Sequence, residues 1–123
     1  MTYYYGTVSK GRLNTCRPDL HRLFMKAIKY RDVAILCGHR EEPAQNAAYE
    51  AGRSALRWPE GPHNKLPSRA VDAGPWPLDW NDRDALMEFS GFILGLAAAM
   101  DIKVRSGAFW KKPWDPLHFE IVE

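Results

Sequence analysis

The sequence is poor in cysteine, with only Cys16 and Cys37 among its 123 residues. Two thiols cannot build the disulfide framework that holds together small secreted domains lacking a sizeable core. Cys37 ends the apolar run Val33–Leu36, which favours a buried thiol at this position over a Cys16–Cys37 disulfide. The fold must therefore be stabilised by packing rather than by covalent links.

Long apolar runs and an excess of one charge are also missing. The longest apolar run, Phe92–Met100, is far shorter than the ~20 residues that a membrane span needs. The first residues, Met1–Arg12, lack the apolar stretch of a signal peptide. We therefore expect a protein made in the cytosol that reaches the periplasm or cell wall only when another component releases it. The net charge of +2, with acids and bases mixed, argues against a dedicated nucleic-acid surface.

Apolar and aromatic residues are plentiful. Apolar residues make up 46% of the sequence, and they include five Trp, five Tyr and five Phe. Such a composition supports a real core, and the length suits one ordinary domain. We predict a single catalytic domain over residues 1–123, which we expect to be a monomer.

Hydrophobic periodicity predicts helices and short strands in a mixed order. Helices are predicted over Asp19–Lys29, over Pro43–Ala51 with Gly52 as its stop, and from a cap at Asn81 through Met100. Strands are predicted at Val33–Cys37, Arg69–Ala73, Ile102–Arg105 and Leu117–Val122, and Arg53–Pro67 is predicted to be an ordered loop. Because no strict βαβ rhythm appears, the pattern favours an α+β domain with an antiparallel sheet packed against helices.

Two of the four histidines lie where a metal site could form. His63 precedes the strand that carries Asp72, and His118 begins the last strand, three residues after Asp115. Such junctions can bring His63, Asp72 and His118 together, and three protein ligands leave one coordination position open for water. Asp115 could then act as a general base. Spacing alone is weak evidence, since Asp72 could pair with an arginine and Asp115 could be a turn residue.

The remaining histidines and Glu120 are less informative. His21 is expected to be a structural or surface residue, and His39 is ambiguous. Glu120 should share a sheet face with His118, where it could support a ligand or only fill the rim of the site. Four of the five tryptophans are expected in the core or in a cleft wall, namely Trp76, Trp80, Trp110 and Trp114.

Longer motifs around these residues resemble a known family. The stretch His63–Asp72 (HNKLPSRAVD) is similar to the first zinc motif of the D-alanyl-D-alanine carboxypeptidase / L-alanyl-D-glutamate endopeptidase family, especially its phage endolysin branch. Trp114–Glu120 (WDPLHFE) resembles the second motif, and Cys37–Arg40 (CGHR) resembles the Gly-x-Arg segment. The resemblance spans nearly the whole chain and implies a Hedgehog/D,D-peptidase-like fold.

The resemblance also implies roles for individual residues. It makes His63, Asp72 and His118 zinc ligands, Asp115 the catalytic carboxylate, and Arg40 a substrate contact that polarises the scissile carbonyl. The alternative for Arg40 is a surface salt bridge with Glu41 or Glu42, and the active-site role is favoured over it. The implied function is a zinc-dependent phage-type endolysin that cleaves the L-alanyl-D-glutamate bond of peptidoglycan. The alternatives are a D-alanyl-D-alanine carboxypeptidase or dipeptidase, an inactive wall-binding module and, least favoured, a nucleic-acid binder.

Two positions depart from the family pattern. Gly61 stands where many relatives have a serine two residues before the first zinc histidine, which removes a hydroxyl near the site. Ala108-Phe109-Trp110 replaces a Gly-Asp-Trp segment, so an acidic side chain is missing and substrate contacts on that side are expected to differ.

Overall fold

The computed structural model describes residues 2–123, so Met1 of the predicted domain lies outside the described residues. Four helices and four strands follow one another in a mixed order, as the periodicity predicts. Their order is α1 Thr7–Leu13, α2 Pro18–Ala27, β1 Val33–Cys37, α3 Glu42–Glu50, β2 Ala70–Pro75, α4 Arg83–Ala99, β3 Val104–Ser106 and β4 His118–Ile121. Two 3₁₀ turns, Pro62–Asn64 and Gly107–Phe109, complete the secondary structure.

The four strands form one antiparallel sheet in the order β1-β2-β4-β3. The last strand in the chain therefore lies inside the sheet, between β2 and β3. Asp72 on β2 faces His118 on β4 and, across the other neighbour, Cys37 on β1. This register places the two predicted ligands, Asp72 and His118, directly opposite one another.

One face of the sheet packs against α2 and α4. Val71, Ala73 and Phe119 belong to the buried core, and the ring of Phe119 meets Phe24 of α2 and Phe89 of α4 at centroid distances of 5.7 and 6.1 Å. Because successive strand residues point to opposite faces, His118 and Glu120 point away from this core. The polar side chains of β4 thus occupy the face that the two core helices leave free.

The predicted elements agree closely with the observed ones. The strand Val33–Cys37 has the predicted bounds, and α3 ends just before Gly52, whose φ of 77° suits a residue without a Cβ. The apolar faces predicted for α2 and α4 are buried or pack against the core. The α+β fold with an antiparallel sheet against helices is confirmed.

Some local predictions were wrong. The cap of α4 is Asp82 rather than Asn81, since the Asp82 carboxylate accepts the Ala85 backbone N–H at 3.0 Å. The short helix α1 was not predicted. Trp76 and Trp80, which were expected in the core or in a cleft wall, are 58% and 60% exposed, so only the core is excluded for them. Both cysteines are free, as expected, although Cys37 is only half-buried.

None of the helices described within residues 2–123 is both long and apolar enough to cross a membrane.

Candidate active site

Three side chains from separate segments meet around one point. His63 comes from the 3₁₀ turn Pro62–Asn64, Asp72 from β2 and His118 from the first position of β4. His63 Nε2 lies 3.2 Å from Asp72 Oδ1 and 3.3 Å from His118 Nδ1, and the third edge, His118 Nδ1 to Asp72 Oδ1, is 3.3 Å. The structure therefore brings together the three predicted ligands, called the donor triad below.

The other nitrogen of each imidazole already has a partner. His63 Nδ1 lies 2.7 Å from the Gly38 carbonyl oxygen, and His118 Nε2 lies 2.7 Å from Glu120 Oε1. Since both oxygens only accept, each of these nitrogens carries the proton in the neutral ring. The lone pairs of His63 Nε2 and His118 Nδ1 then point toward each other and toward Asp72.

The donor triad fits a small divalent cation. In a tetrahedral site with bonds of 2.0–2.1 Å, neighbouring ligand atoms are about 3.3 Å apart. The three observed edges have this length, and His63 and His118 are 4% and 5% exposed. Two imidazoles and one carboxylate are also a donor set typical of such sites. The group His63, Asp72 and His118 can therefore hold a metal ion.

The charges of the triad are strongly coupled. Burial disfavours a charged imidazole, but the adjacent Asp72 carboxylate outweighs this effect and raises the pKa of His63 to about 10. Burial also opposes the charge on Asp72, yet His63 and His118 hold its pKa far below the usual range. Asp72 is therefore ionised at all ordinary pH values. An arriving cation displaces protons from the imidazoles, so metal binding releases protons.

Asp115 lies beside the triad without joining it. Its Oδ2 atom is 3.9 Å from His118 Nδ1, and its side chain keeps 32% of its surface exposed. Burial and then repulsion from Asp72 raise the pKa of Asp115. A partly exposed carboxylate with a raised pKa, next to a metal position, is suited to accept a proton from water.

The backbone holds Asp115 against the turn Gly107–Phe109. The Asp115 N–H donates to the Gly107 carbonyl at 3.1 Å, and a Cβ on Gly107 would come within 2.3 Å of the Asp115 carbonyl oxygen. Only glycine permits this close approach.

Arg40 reaches the triad from the opposite side. Its Nη2 atom lies 3.5 Å from Asp72 Oδ2, and its Nη1 donates to Gln45 Oε1 at 3.1 Å. The carboxylate that Arg40 contacts is thus Asp72, and not Glu41 or Glu42. A cation at this position is available to an oxygen that develops negative charge near the triad.

A buried amide network fixes the loop that carries His63. Asn64 donates to the Arg40 carbonyl at 3.0 Å and to Gln45 Oε1 at 3.1 Å, while its own Oδ1 accepts the Gly61 N–H at 2.8 Å. A Cβ on Gly61 would lie 2.8 Å from Asn64 Oδ1. The Asn64 and Gln45 amides therefore pack so closely against Gly61 that a serine side chain would not fit there without a shift.

The other two histidines lie outside the triad. His39 contacts the Lys65 carbonyl at 3.0 Å, and His21 on α2 contacts Asn14 at 3.2 Å.

The sequence left three site residues unassigned or missed. Glu120 is 3% exposed and supports His118, which the two-residue strand spacing suggested. The ring of Trp110 lies 5.1 Å from the ring of His118, and nothing in the sequence singled out this contact. Gln45 is 1% exposed and lies at the centre of the amide network. A polar residue on a predicted helix does not by itself indicate that its side chain is buried.

A four-stranded α+β domain with this donor triad and an adjacent carboxylate has the groups that a small metal-dependent hydrolase needs. Residues 1–121 match the family model described as phage L-alanyl-D-glutamate peptidase, and the chain belongs to that family.

Two relatives agree with the family match. The chain is 30% identical over 128 residues to the L-alanyl-D-glutamate peptidase of Escherichia phage T5, a similarity that covers 98% of this chain and 90% of that protein. The crystal structure of the Serratia marcescens L-Ala D-Glu endopeptidase ChiX superimposes with a TM-score of 0.80 at 25% identity, covering 98% of this chain and 91% of the other.

Proposed function

We propose that this chain is a zinc-dependent endopeptidase that hydrolyses the L-alanyl-D-glutamate bond in the stem peptide of peptidoglycan. The observation that carries the proposal is the donor triad, whose edges of 3.2, 3.3 and 3.3 Å match those of a tetrahedral zinc site. Family membership and the two relatives support the substrate class.

Zinc is the first choice because the donors are two imidazole nitrogens and one carboxylate oxygen. When bound by His63, Asp72 and His118, zinc supplies Lewis acidity that brings the pKa of water toward ~7 and polarises a peptide carbonyl. His63 donates its other ring N–H to the Gly38 carbonyl, and His118 donates its own to Glu120. Metal-binding histidines normally have such a hydrogen bond on the nitrogen that does not bind the metal.

The remaining steps belong to the protein's own side chains. In our proposal Asp115 accepts a proton from the attacking water and later returns it to the leaving amine. Arg40 faces the carbonyl oxygen and stabilises the charge that develops there, an effect worth about 3 kcal/mol for a well-placed donor. Trp110, whose ring is tilted against that of His118, shields this side of the site from bulk water.

We also propose that the protein is a phage-type endolysin, held in the host cytoplasm until it is released to the cell wall. Family membership supports this setting. All three triad residues and Asp115 come from one chain, which supports activity as a monomer.

The cleaved bond can be identified directly from the products. We expect digestion of purified sacculi to create new amino termini on D-glutamate, identified by mass spectrometry. Released D-alanine would instead indicate a carboxypeptidase on this scaffold. Metal content without any released amine would indicate an inactive wall-binding module.

The role of Asp115 is tested by separating metal binding from hydrolysis. Asp115→Ala should retain one equivalent of zinc by elemental analysis and lose at least ~100-fold in rate, because the proton acceptor is gone while the triad is intact. His63→Ala should lose the metal itself. Asp19→Ala, which removes an exposed carboxylate on α2, is the control and should behave as the wild type. Wild-type hydrolysis by Asp115→Ala would show that the assigned base is wrong.

A further inference from the structure

A groove of about 450 Å³ lies between the first turns of α4 and the segment 108–114, which connects β3 to β4. Its walls include Arg83, Met87, Phe109, Trp110, Lys111 and Trp114. The volume is in the range of sites that hold small ligands. No residue named in the proposed mechanism except the shielding Trp110 lies in this wall.

The groove adjoins the active site through two tryptophans. Trp110 forms part of its wall and also places its ring 5.1 Å from the ring of the triad residue His118. Trp114, another wall residue, immediately precedes Asp115 and donates its indole N–H to the Ala108 carbonyl at 2.9 Å. The groove is therefore within reach of a peptide that is bound at the triad and extends past Trp110.

The chemistry of the groove favours an anionic ligand with some apolar surface. Arg83 and Lys111 are its charged residues, and no acidic residue lines it. The Arg83 guanidinium lies 4.3 Å from the centroid of the Trp114 ring, which holds this cation at the wall. Phe109 adds an aromatic side chain that is 64% exposed.

The sheet order decides which half of the substrate reaches the groove. Arg40 follows β1 at one edge of the sheet, whereas Asp115 and the groove lie toward β4 and β3. Asp115 returns its proton to the leaving amine, so the residue that carries this amine must lie on the groove side of the triad. In an L-alanyl-D-glutamate bond that residue is the glutamate, which keeps a free carboxylate when the chain continues through its other carboxyl group.

We propose that this groove binds the glutamyl side of the cleaved peptide, with Lys111 and Arg83 as the partners of its free carboxylate. The inference rests on the proposed function, because the identity of the leaving residue comes from it.

Two synthetic peptides test the assignment. Both contain the L-Ala–D-Glu bond with the chain continued through the γ-carboxyl group, and in the second the α-carboxylate is converted to a carboxamide. We expect the wild-type enzyme to cleave the carboxylate peptide with a KM about 5-fold lower, the size of one or two exposed ion pairs. Lys111→Ala and Arg83→Gln should each reduce this preference, with little change in kcat.

Matched variants separate a specific contact from general charge or folding. Lys112→Ala removes a neighbouring cation that does not line the groove and should keep the preference. Lys111→Arg should keep the preference for the carboxylate peptide that Lys111→Ala reduces, since it keeps the positive charge at the same position.

The two proposals fail in different ways. If the wild-type enzyme cleaves neither peptide, the proposed function is wrong. If it cleaves both peptides with equal KM, or if Lys111→Ala together with Arg83→Gln leaves the preference unchanged, the function stands and the groove assignment is overturned.

Discussion

Glu120 acts on the site through a neighbouring side chain. It is 3% exposed, accepts the His118 Nε2–H at 2.7 Å and receives Arg105 Nη2 at 2.8 Å on its second oxygen. Burial alone would raise the pKa of Glu120, but its hydrogen bonds to His118 and Arg105 lower it to about 2. Glu120 is therefore ionised and holds the His118 ring with Nδ1 directed into the triad.

Removing this support should weaken metal binding while leaving the three ligands in place. We expect Glu120→Leu to lower the zinc affinity about 10- to 100-fold, measured by competition with a chromophoric chelator. Glu120→Gln should lose less, because its amide oxygen can still accept the His118 N–H. Glu88→Gln changes an exposed carboxylate on α4 and serves as the control. Equal affinities for Glu120→Leu and the wild type would show that His118 needs no such support.

The buried thiol of Cys16 makes the folded state less stable at alkaline pH. Burial, opposed by a hydrogen bond to Thr15, raises the pKa of this thiol from 9.0 to about 12. The thiol thus ionises above pH 9 in the unfolded chain but only near pH 12 in the folded one, and the folded state loses stability as the pH rises through this window. The loss from this group is on the order of 1 kcal/mol at pH 10.

Urea unfolding at pH 7 and pH 10 measures this contribution. Cys16→Ala starts from a lower stability because it loses buried contacts, but it should lose on the order of 1 kcal/mol less than the wild type between the two pH values. An identical loss in both proteins would contradict a buried neutral thiol.

At the scale of elements, the turn Gly107–Phe109 determines where the segment carrying Asp115 lies. A methyl group on Gly107 would meet the Asp115 carbonyl oxygen at 2.3 Å, and that oxygen is backbone and cannot rotate away. We expect Gly107→Ala to shift Asp115 and lower kcat at least ~10-fold, with zinc still bound, since small misplacements of a catalytic group are costly. Gly91→Ala on α4 meets nothing within 4 Å and should leave kcat unchanged. Full activity in Gly107→Ala would show that the Asp115 segment tolerates displacement.

The elements also show what the sequence could predict. Helices α2 and α4 were predictable because apolar residues repeat at the helix period, and β1 because Val33–Cys37 is a short, continuous β-branched apolar run. Helix α1 was not, since it spans seven residues and buries only Leu13. The triad was predictable from the family motifs rather than from spacing. The contact of Trp110 with His118 and the amide network around Gln45 depend on tertiary packing, which no local pattern encodes.

For the whole molecule, the triad links segments that are distant along the chain. His63 and His118 are separated by 55 positions, and each is held by a different part of the fold. A metal that binds only the folded state adds a stability of RT ln(1 + [L]/Kd), which is about 4 kcal/mol at a thousandfold excess over Kd.

Removal of the metal should therefore lower the melting temperature. We expect the chelated protein to melt about 10–20 °C below the zinc-loaded protein in calorimetry, given the entropy of unfolding of a domain of this size. It should nevertheless remain folded at room temperature, because the Asp72 carboxylate still lies 3.2 and 3.3 Å from the two imidazoles. Re-addition of zinc should restore the transition. A melting temperature that is insensitive to chelation would mean that the site holds no ion in the folded protein.

The position of β4 between β2 and β3 has a consequence for how activity first arises. His118 and Asp115 reach His63 and Asp72 only when this strand, which follows the other three along the chain, enters the gap between β2 and β3. A chain in which β4 is not yet in place therefore has no complete donor triad. Completion of the sheet is itself the activation step, so an enzyme aimed at the cell wall becomes competent only once its own folding is finished.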